Sequence, residues 1–309
     1  METLMVSIVI VNYNVKELVL KCISSVLNSE LMNAEVIVVD NNSSDESVKA
    51  IKQLFPKVIV IDNKDNKGFS AANNQGIFIA KGKYILLLNP DTEVQKKSLQ
   101  KMIEFMKNNS SQIILAPQLL NSDGSLQISA WRFPSVSEII LETFYIHRLF
   151  RISEYHPNIF QDTFKAEGLS GAAMMFSKET INKTGMMDEN LFWMEDIDLC
   201  YRNKKSGGMN IYFPEAKIIH HTGASAKQNF RITISNQLLS KLKFFKKHYG
   251  LFSMIFASIF ILIHIFFRII VLFLLSPFSK TFRLKSYAYI FSLLIFFKYI
   301  FTGNKSVAR

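Results

Sequence analysis

The sequence predicts an α/β protein: a mostly parallel central sheet flanked by helices, with a C-terminal hydrophobic helical tail. Three observations predict it. Over the first 120 residues, apolar β-branched runs alternate with amphipathic stretches, the pattern of a βαβ series. Each apolar run ends in a polar cluster, which marks one edge of the sheet as a site. The charge is also unevenly placed: 241–309 holds eleven Lys/Arg and no Asp or Glu, so the rest balances at 25 of each and the net +11 sits in the tail.

The elements follow in order. Met5–Asn12 reads as a buried strand and Val15–Leu27 as a helix. Glu35–Asp40 is the second strand, and the Asn-Asn-Ser-Ser-Asp turn after it can cap a helix over Glu46–Phe55. Lys57–Ile61, Phe69–Ala80, Tyr84–Leu88 and about Lys96–Lys107 read as strand, helix, strand and helix. The pattern loosens from Gln118 to about Phe164, through Trp131-Arg132-Phe133-Pro134 and a Phe/Tyr-rich amphipathic stretch. It resumes at Glu167–Phe176 and runs to His221, with Ala216–Ile219 strand-like. The expected division is 1–240 as one domain, in halves of about 1–117 and 118–240, with 241–309 as a membrane-associating tail.

In the tail, Leu251–Leu275 is interrupted only by small polar residues, His264 and Arg268. As a helix it would extend roughly 37 Å, enough for a bilayer core of about 30 Å. Ser286–Phe301 is shorter. Lysines precede the first run, and Lys280, Arg283 and Lys285 separate the two. The basic residues flank apolar runs, so the expected partner is an anionic membrane surface and not nucleic acid. A two-span hairpin conflicts with placing both basic groups in the cytoplasm, whereas a re-entrant or in-plane pair does not. A buried hairpin in a soluble protein is the alternative, and the lack of acids argues against it. Cys22 and Cys200 form no CxxC or CxxH pattern, which fits a reducing compartment and predicts no zinc site. The opening residues carry no basic n-region or cleavage site, so no signal peptide is expected.

No P-loop and no GxGxxG follows the first strand, so a diphosphate must be held another way. Carboxylates around a divalent cation are the natural substitute. Asp91, at the end of a buried strand, is the first ligand candidate; a helix cap is the bland alternative. Glu195, Asp196 and Asp198 follow Phe192 and Trp193. Clustered carboxylates among aromatics repel one another unless a cation or a bound hydroxyl offsets the charge, and one of them suits a general base. A solvated helix N-terminus would also attract acids. His220 and His221 follow a strand and either join a metal shell or fill a loop.

These blocks resemble glycosyltransferase family 2, the inverting enzymes of GT-A (Rossmann-like) fold, and within it the bacterial rhamnosyltransferase-like branch. The resemblance spans roughly Val6 to Ser225. It rests on VSIVIVNYN, VIVVDNNSSDES, NKGFSAANNQGI, YILLLNPDTEV, SGAAMMFSKE, GMMDENLFWMEDIDLCYR and HHTGAS. Each block is modest alone; seven in order are specific. The resemblance implies a nucleotide-sugar pocket at Asn12, Tyr13, Asn14, Asp40, Asn41 and Ser43, with Gly68 and Asn73 lining the cleft. Asn89-Pro90-Asp91 stands where the family has its metal-binding DxD, Asn89 replacing the first carboxylate. Mg²⁺ or Mn²⁺ is then expected on Asp91 and His220, the latter three residues before Gly223. Asp196, beside Glu195, matches the catalytic base, and Trp131, Gly171, Ala172 and Trp193 the acceptor side. The expected partners are a nucleotide-diphosphate sugar and a glycan acceptor linked to polyprenyl diphosphate, at the cytoplasmic face of the inner membrane. Rhamnose is the leading sugar in that branch.

Two other readings stand beside this one. A catalytically inactive GT-A scaffold that binds sugar would suit Asn89, but the intact Glu195-Asp196 pair opposes it. A nucleotidyltransferase would need a Gly-rich, basic phosphate loop that Asn12–Lys16 does not provide.

Overall fold

The computed structural model describes residues 5–29, 31, 33–109, 112–144, 146, 155–221 and 230–302. The end of the HHTGAS block with Gly223, most of the Phe/Tyr-rich stretch before Phe164, the opening four residues and the last seven of the tail lie outside them. Two compact units form. One comprises Met1–Arg132, Tyr155–Glu189 and Glu195–Thr222, the other Phe133–Glu154, Asn190–Met194 and Gly223–Arg309.

The first unit begins β1 (Val6–Asn12), α1 (Lys16–Leu27), β2 (Ala34–Asp40), α2 (Ser47–Leu54), β3 (Ile59–Asp62), α3 (Phe69–Ile79) and β4 (Tyr84–Leu88). It continues with β5 (Thr92–Val94), α4 (Ser98–Lys107), β6 (Ile113–Leu120), β7 (Leu126–Gln127) and β8 (Ala130–Trp131). After α5 (Val136–Thr143) of the second unit come β9 (Phe164–Ala166), β10 (Gly168–Leu169), β11 (Ala173–Ser177), α6 (Lys178–Thr184), α7 (Glu195–Lys205) and β12 (Met209–His220).

Every residue of β1 and of β4 is buried, as continuous apolar runs require of strands covered on both faces. The sheet order is β3-β2-β1-β4-β11-β6-β12-β5. The pairs among β1 to β4 are parallel, as the alternation predicts. The sheet as a whole is mixed, because β11 inserts antiparallel between β4 and β6. A short strand placed between two others by chain reversal leaves no local periodicity to read. Gly82, just before β4, is obligatory: a Cβ there would stand 2.5 Å from the Ser7 backbone nitrogen and 2.6 Å from the Val6 carbonyl carbon. Neither backbone atom can move without breaking the β1–β4 pairing.

The strand ends set the site. β1, β2 and β4 run parallel, so Asn12, Asp40 and the Asn89-Pro90-Asp91 turn emerge at one edge. β5 then returns antiparallel to β12, pairing Thr92 with His220. That register brings two residues 128 positions apart into neighbouring places.

In the second unit, α8 (Phe230–Leu275) is broken at Gly250, whose φ of 87° is outside helical space. The arms either side of it and α9 (Lys280–Thr302) pack together, with α5 against α8. Residue 240, the expected domain boundary, falls within the first arm of α8.

Candidate active site

The turns after β1 and β2 form a network of short polar side chains. Asn12 donates through Nδ2 to Asp40 Oδ2 at 2.6 Å and to Ser43 Oγ at 3.1 Å. Asp40 Oδ1 accepts from the Ser43 N–H at 2.7 Å, and Ser43 Oγ accepts from the Asn14 N–H at 2.9 Å. Asn14, at φ 53°, accepts from the Ser44 N–H, so the turns after β1 and β2 are tied together. Asn12 and Asp40 are wholly buried, whereas Tyr13 stands half exposed above them. Asn41 donates to the Gly68 carbonyl at 3.2 Å and accepts from Asn63 at 3.0 Å. Gly68, at φ 87°, has open space where a Cβ would point, so it is the backbone conformation that favours glycine there. Asn73 is buried and donates back to the Phe69 carbonyl of its own helix at 3.0 Å.

The Asn-Pro-Asp turn is anchored from below. The Asn89 N–H donates to the Ala172 carbonyl at 2.9 Å, and its carbonyl accepts from Thr92 Oγ1 at 2.7 Å. Asn89 Oδ1 is buried and has no partner. Asp91 Oδ1 lies 3.3 Å from His220 Nε2, both side chains 13% exposed. Gln127 settles what that contact is. Its Nε2 donates to Asn121 Oδ1 at 2.9 Å and to the His220 carbonyl at 3.3 Å, so its Oε1 is the atom 2.7 Å from His220 Nδ1. Only an Nδ1–H can make that bond, so Nε2 meets the carboxylate oxygen either as a lone pair or, in the protonated ring, as a second N–H. Two lone pairs at this distance repel unless a cation or a proton lies between them. The pair, with the orphaned Asn89 oxygen nearby in the chain, offers nitrogen and oxygen donors of the kind a divalent cation takes, as well as those of a simple ion pair. No third His, Cys, Asp or Glu joins them among the described residues. Such a pair suits a metal whose remaining ligands are substrate phosphates and water. The neighbouring His221 bonds Glu93 Oε1 at 2.8 Å and Ser122 Oγ at 2.7 Å.

The acidic cluster separates into distinct roles. Asp196 Oδ2 accepts from the Gly171 N–H at 2.9 Å and Oδ1 from the Ile197 N–H at 2.8 Å. Burial pushes its carboxyl above the usual range, against the pull of those N–H donors. Glu195 is buried beside it at the first position of α7. Asp198, wholly buried, instead pairs with Arg202 Nε at 2.8 Å. The Arg202 guanidinium also donates to the carbonyls of Thr184, Gly185 and Met186, so this ion pair staples α7 to the end of α6.

Gly171 and Ala172 bridge the two halves of the site. Gly171 holds Asp196, and Ala172 holds Asn89. Trp131 pairs with Gly168 in the β8–β10 ladder that leads into this segment. Trp193 belongs to the second unit; it sits at φ 77° with 43% of its surface exposed. That left-handed conformation is an outlier for a bulky residue. Gln127 and the Asp198–Arg202 staple are the features the sequence reading did not assign.

Comparison with known proteins decides what this arrangement belongs to. The family model for "Glycosyl transferase family 2" matches residues 7–184. The chain belongs to glycosyl transferase family 2. The match takes in the turns after β1 and β2, the Asn-Pro-Asp turn and Gly171-Ala172. An N-acetylglucosaminyl-diphospho-decaprenol L-rhamnosyltransferase of Mycobacterium tuberculosis is 25% identical over 207 residues, 62% of this chain and 67% of that protein. The low-salt glycan biosynthesis hexosyltransferase Agl10 of Haloferax volcanii is 26% identical over 218 residues, 69% of this chain and 65% of its own length. Among solved structures, GalNAc-T7 with UDP, GalNAc and Mn²⁺ superposes with a TM-score of 0.55 at 16% identity, over 76% of this chain and 47% of that one. The fold is thus GT-A, and the chain is a glycosyltransferase of glycan biosynthesis.

Proposed function

We propose that this glycosyltransferase moves a sugar, rhamnose being the first to try, from a nucleoside-diphosphate donor to a hydroxyl of a polyprenyl-diphosphate-linked glycan, with inversion and with a divalent metal. The observation that carries this reading is the bridge at Gly171-Ala172. It fixes the base candidate Asp196 and the Asn89-Pro90-Asp91 turn to adjacent residues of one segment. Support for the acceptor comes from the name of the Mycobacterium relative, whose substrate is a diphospho-decaprenol.

Asn12, Tyr13, Asn14, Asp40, Asn41 and Ser43, with Gly68, would hold the nucleoside. Asp91 and His220 would hold Mg²⁺ or Mn²⁺, which when bound neutralises the diphosphate and makes it a better leaving group. Asp196 takes the proton of the acceptor hydroxyl as that oxygen bonds to the anomeric carbon. The bond from the anomeric carbon to the diphosphate oxygen breaks on the opposite face, and the nucleoside diphosphate leaves with the electron pair. The raised basicity of Asp196 suits this step, since its N–H donors orient the carboxylate without cancelling the effect of burial. Glu195 stands beside Asp196 at the start of α7, and Trp131 offers flat apolar surface to an acceptor sugar. The tail, 241–309, would place the enzyme on the cytoplasmic face of the inner membrane, where such lipids are extended.

A panel of dTDP-, UDP- and GDP-sugars tests this, with lipid extract as acceptor and Mn²⁺, Mg²⁺ or EDTA. Metal-dependent release of nucleoside diphosphate from one donor is expected. Release that persists undiminished in EDTA would remove the metal from the reading.

A further inference from the structure

By length and composition, the helices that end the chain are long and apolar enough to cross a membrane. Their packing inside the second unit points elsewhere. The second arm of α8, after Gly250, is two-faced in exposure though almost wholly apolar in sequence. Phe252, Phe256, Ile259, Ile263, Phe266 and Ile270 are exposed, spaced three or four residues apart along one stripe. Ala257, Ile261, His264, Ile265 and Leu272 are buried on the other. In α9 the exposed stripe is Leu284, Tyr287, Ile290, Leu294, Phe297 and Phe301, opposite buried Ala288, Ser292 and Phe296.

The buried faces are covered by protein, with polar contacts among the packing residues. Thr143 of α5 donates to the Phe260 carbonyl at 3.3 Å, near the midpoint of the α8 arm. The residue before it, Glu142, forms an ion pair with Lys241. Tyr249 donates to the Pro134 carbonyl at 3.0 Å, at the start of the same segment. Across the bundle, Ser235 meets Ser292 at 2.9 Å, and the Lys285 ammonium lies 5.4 Å from the Phe230 ring centroid. These contacts set the first arm of α8, with Arg231, Asn236 and Lys241, alongside α9 in parallel.

A two-span hairpin would carry all of this into the hydrocarbon. There the Glu142–Lys241 pair and the polar first arm of α8 would be taken out of water, which is costly for charged and polar groups even when they are paired. A bundle lying flat has no such cost. Its bare stripes form the lipid-facing side, and its polar side stays in water. Lys246 and Lys247 before the first stripe, and Lys280, Arg283 and Lys285 around the turn, supply charge for anionic headgroups; 241–309 holds no acid to oppose them.

We propose that α8 beyond Gly250 and α9 lie in the plane of one leaflet of an anionic membrane, bound through their exposed stripes, and that the turn between them stays on the side of the catalytic unit. This rests on the membrane attachment in the proposed function and specifies its form.

The test uses the full chain. Cys22 and Cys200 are both buried, so introduced thiols report alone. Lys52→Cys on α2 marks the catalytic unit and Thr281→Cys marks the turn; both positions are exposed. In inverted membrane vesicles, a membrane-impermeant maleimide is expected to label both equally before detergent. Labelling of Thr281→Cys only after detergent would establish two spans and overturn the proposal. Spin labels at Phe256→Cys, Ile263→Cys and Ile270→Cys are expected to report one shallow depth; a deep central label between two shallow ones would overturn it as well. Flotation with vesicles of phosphatidylglycerol and phosphatidylethanolamine is read separately. Failure to float, or a stable dimer burying the stripes, would overturn membrane attachment itself and leave the transfer reaction to its own assay.

Discussion

Gly171 donates its backbone N–H to Asp196 Oδ2 at 2.9 Å, and a Cβ at position 171 would stand 3.2 Å from the Asp196 Cβ. That spacing is tighter than side chains ordinarily tolerate, so Gly171→Ala must push α7 and its carboxylate aside by a few tenths of an ångström. The expected result is a fall in kcat of up to about 10²-fold with donor affinity unchanged. Steady-state kinetics with donor titration calorimetry checks it. Equal losses in kcat and donor binding would mean that residue 171 supports the whole cleft and not the base.

Gln127→Ala removes the acceptor that fixes the His220 tautomer. Outer partners of metal-binding histidines are worth about 10–100-fold in metal affinity. The metal concentration for half-maximal activity should rise by about that factor, with kcat recovering at saturating Mn²⁺. A lowered kcat that no metal restores would place Gln127 in a structural role only.

Asp196 also gives a pH prediction. Burial raises its folded pKa, so its proton is held to higher pH than in the unfolded chain. The acid limb of kcat/KM should therefore lie above the usual aspartate value of about 3.9, activity falling as pH drops through it. For stability the sign is opposite to that of a salt-bridged carboxylate. Any contribution from this group is present below its unfolded pKa and lost as pH rises through the folded one. An acid limb at or below the ordinary value would contradict the raised basicity.

Arg202→Met leaves Asp198 charged and wholly buried and frees the Thr184, Gly185 and Met186 carbonyls. Removing one partner of a buried pair costs about 3–5 kcal/mol. The expected outcome is an equilibrium urea midpoint lowered accordingly at unchanged slope. A loss below about 1 kcal/mol would show that the staple is replaceable by water.

Trp193 holds a left-handed backbone at φ 77° while remaining largely exposed. Trp193→Ala keeps that conformation without the ring, and Trp193→Gly removes its steric cost. The glycine variant should be the more stable of the two by about 1 kcal/mol, read by thermal melts. Both should raise the acceptor KM and leave donor binding alone. Unchanged acceptor KM in both would take Trp193 out of the acceptor side.

Much of the first unit was legible because its signals are local. The β1 and β4 runs and their polar ends are contiguous in sequence, and the bounds of β1 to β4 fell within about two residues of expectation, whereas β12 begins seven residues before the expected Ala216. The partnership of Asp91 with His220 needed the β5–β12 register, which no local pattern encodes. Gln127 carries no signal at all, because its role exists only through a ring 93 residues away. Asp198 resembled Glu195 and Asp196 in sequence; its burial against Arg202, one helical turn on, tells it apart. In the tail, composition marked long apolar helices but not which faces Thr143 and Ser235 would cover.

The measurement that bears most directly on the central assignment is single-turnover transfer by Asp196→Asn, with donor binding measured on the same preparation. With metal, donor and lipid acceptor present, the variant should bind the nucleotide-sugar as the parent does and transfer at least about 10²-fold more slowly. Transfer at the parental rate would show that another group takes the acceptor proton, and would contradict the role given to Asp196.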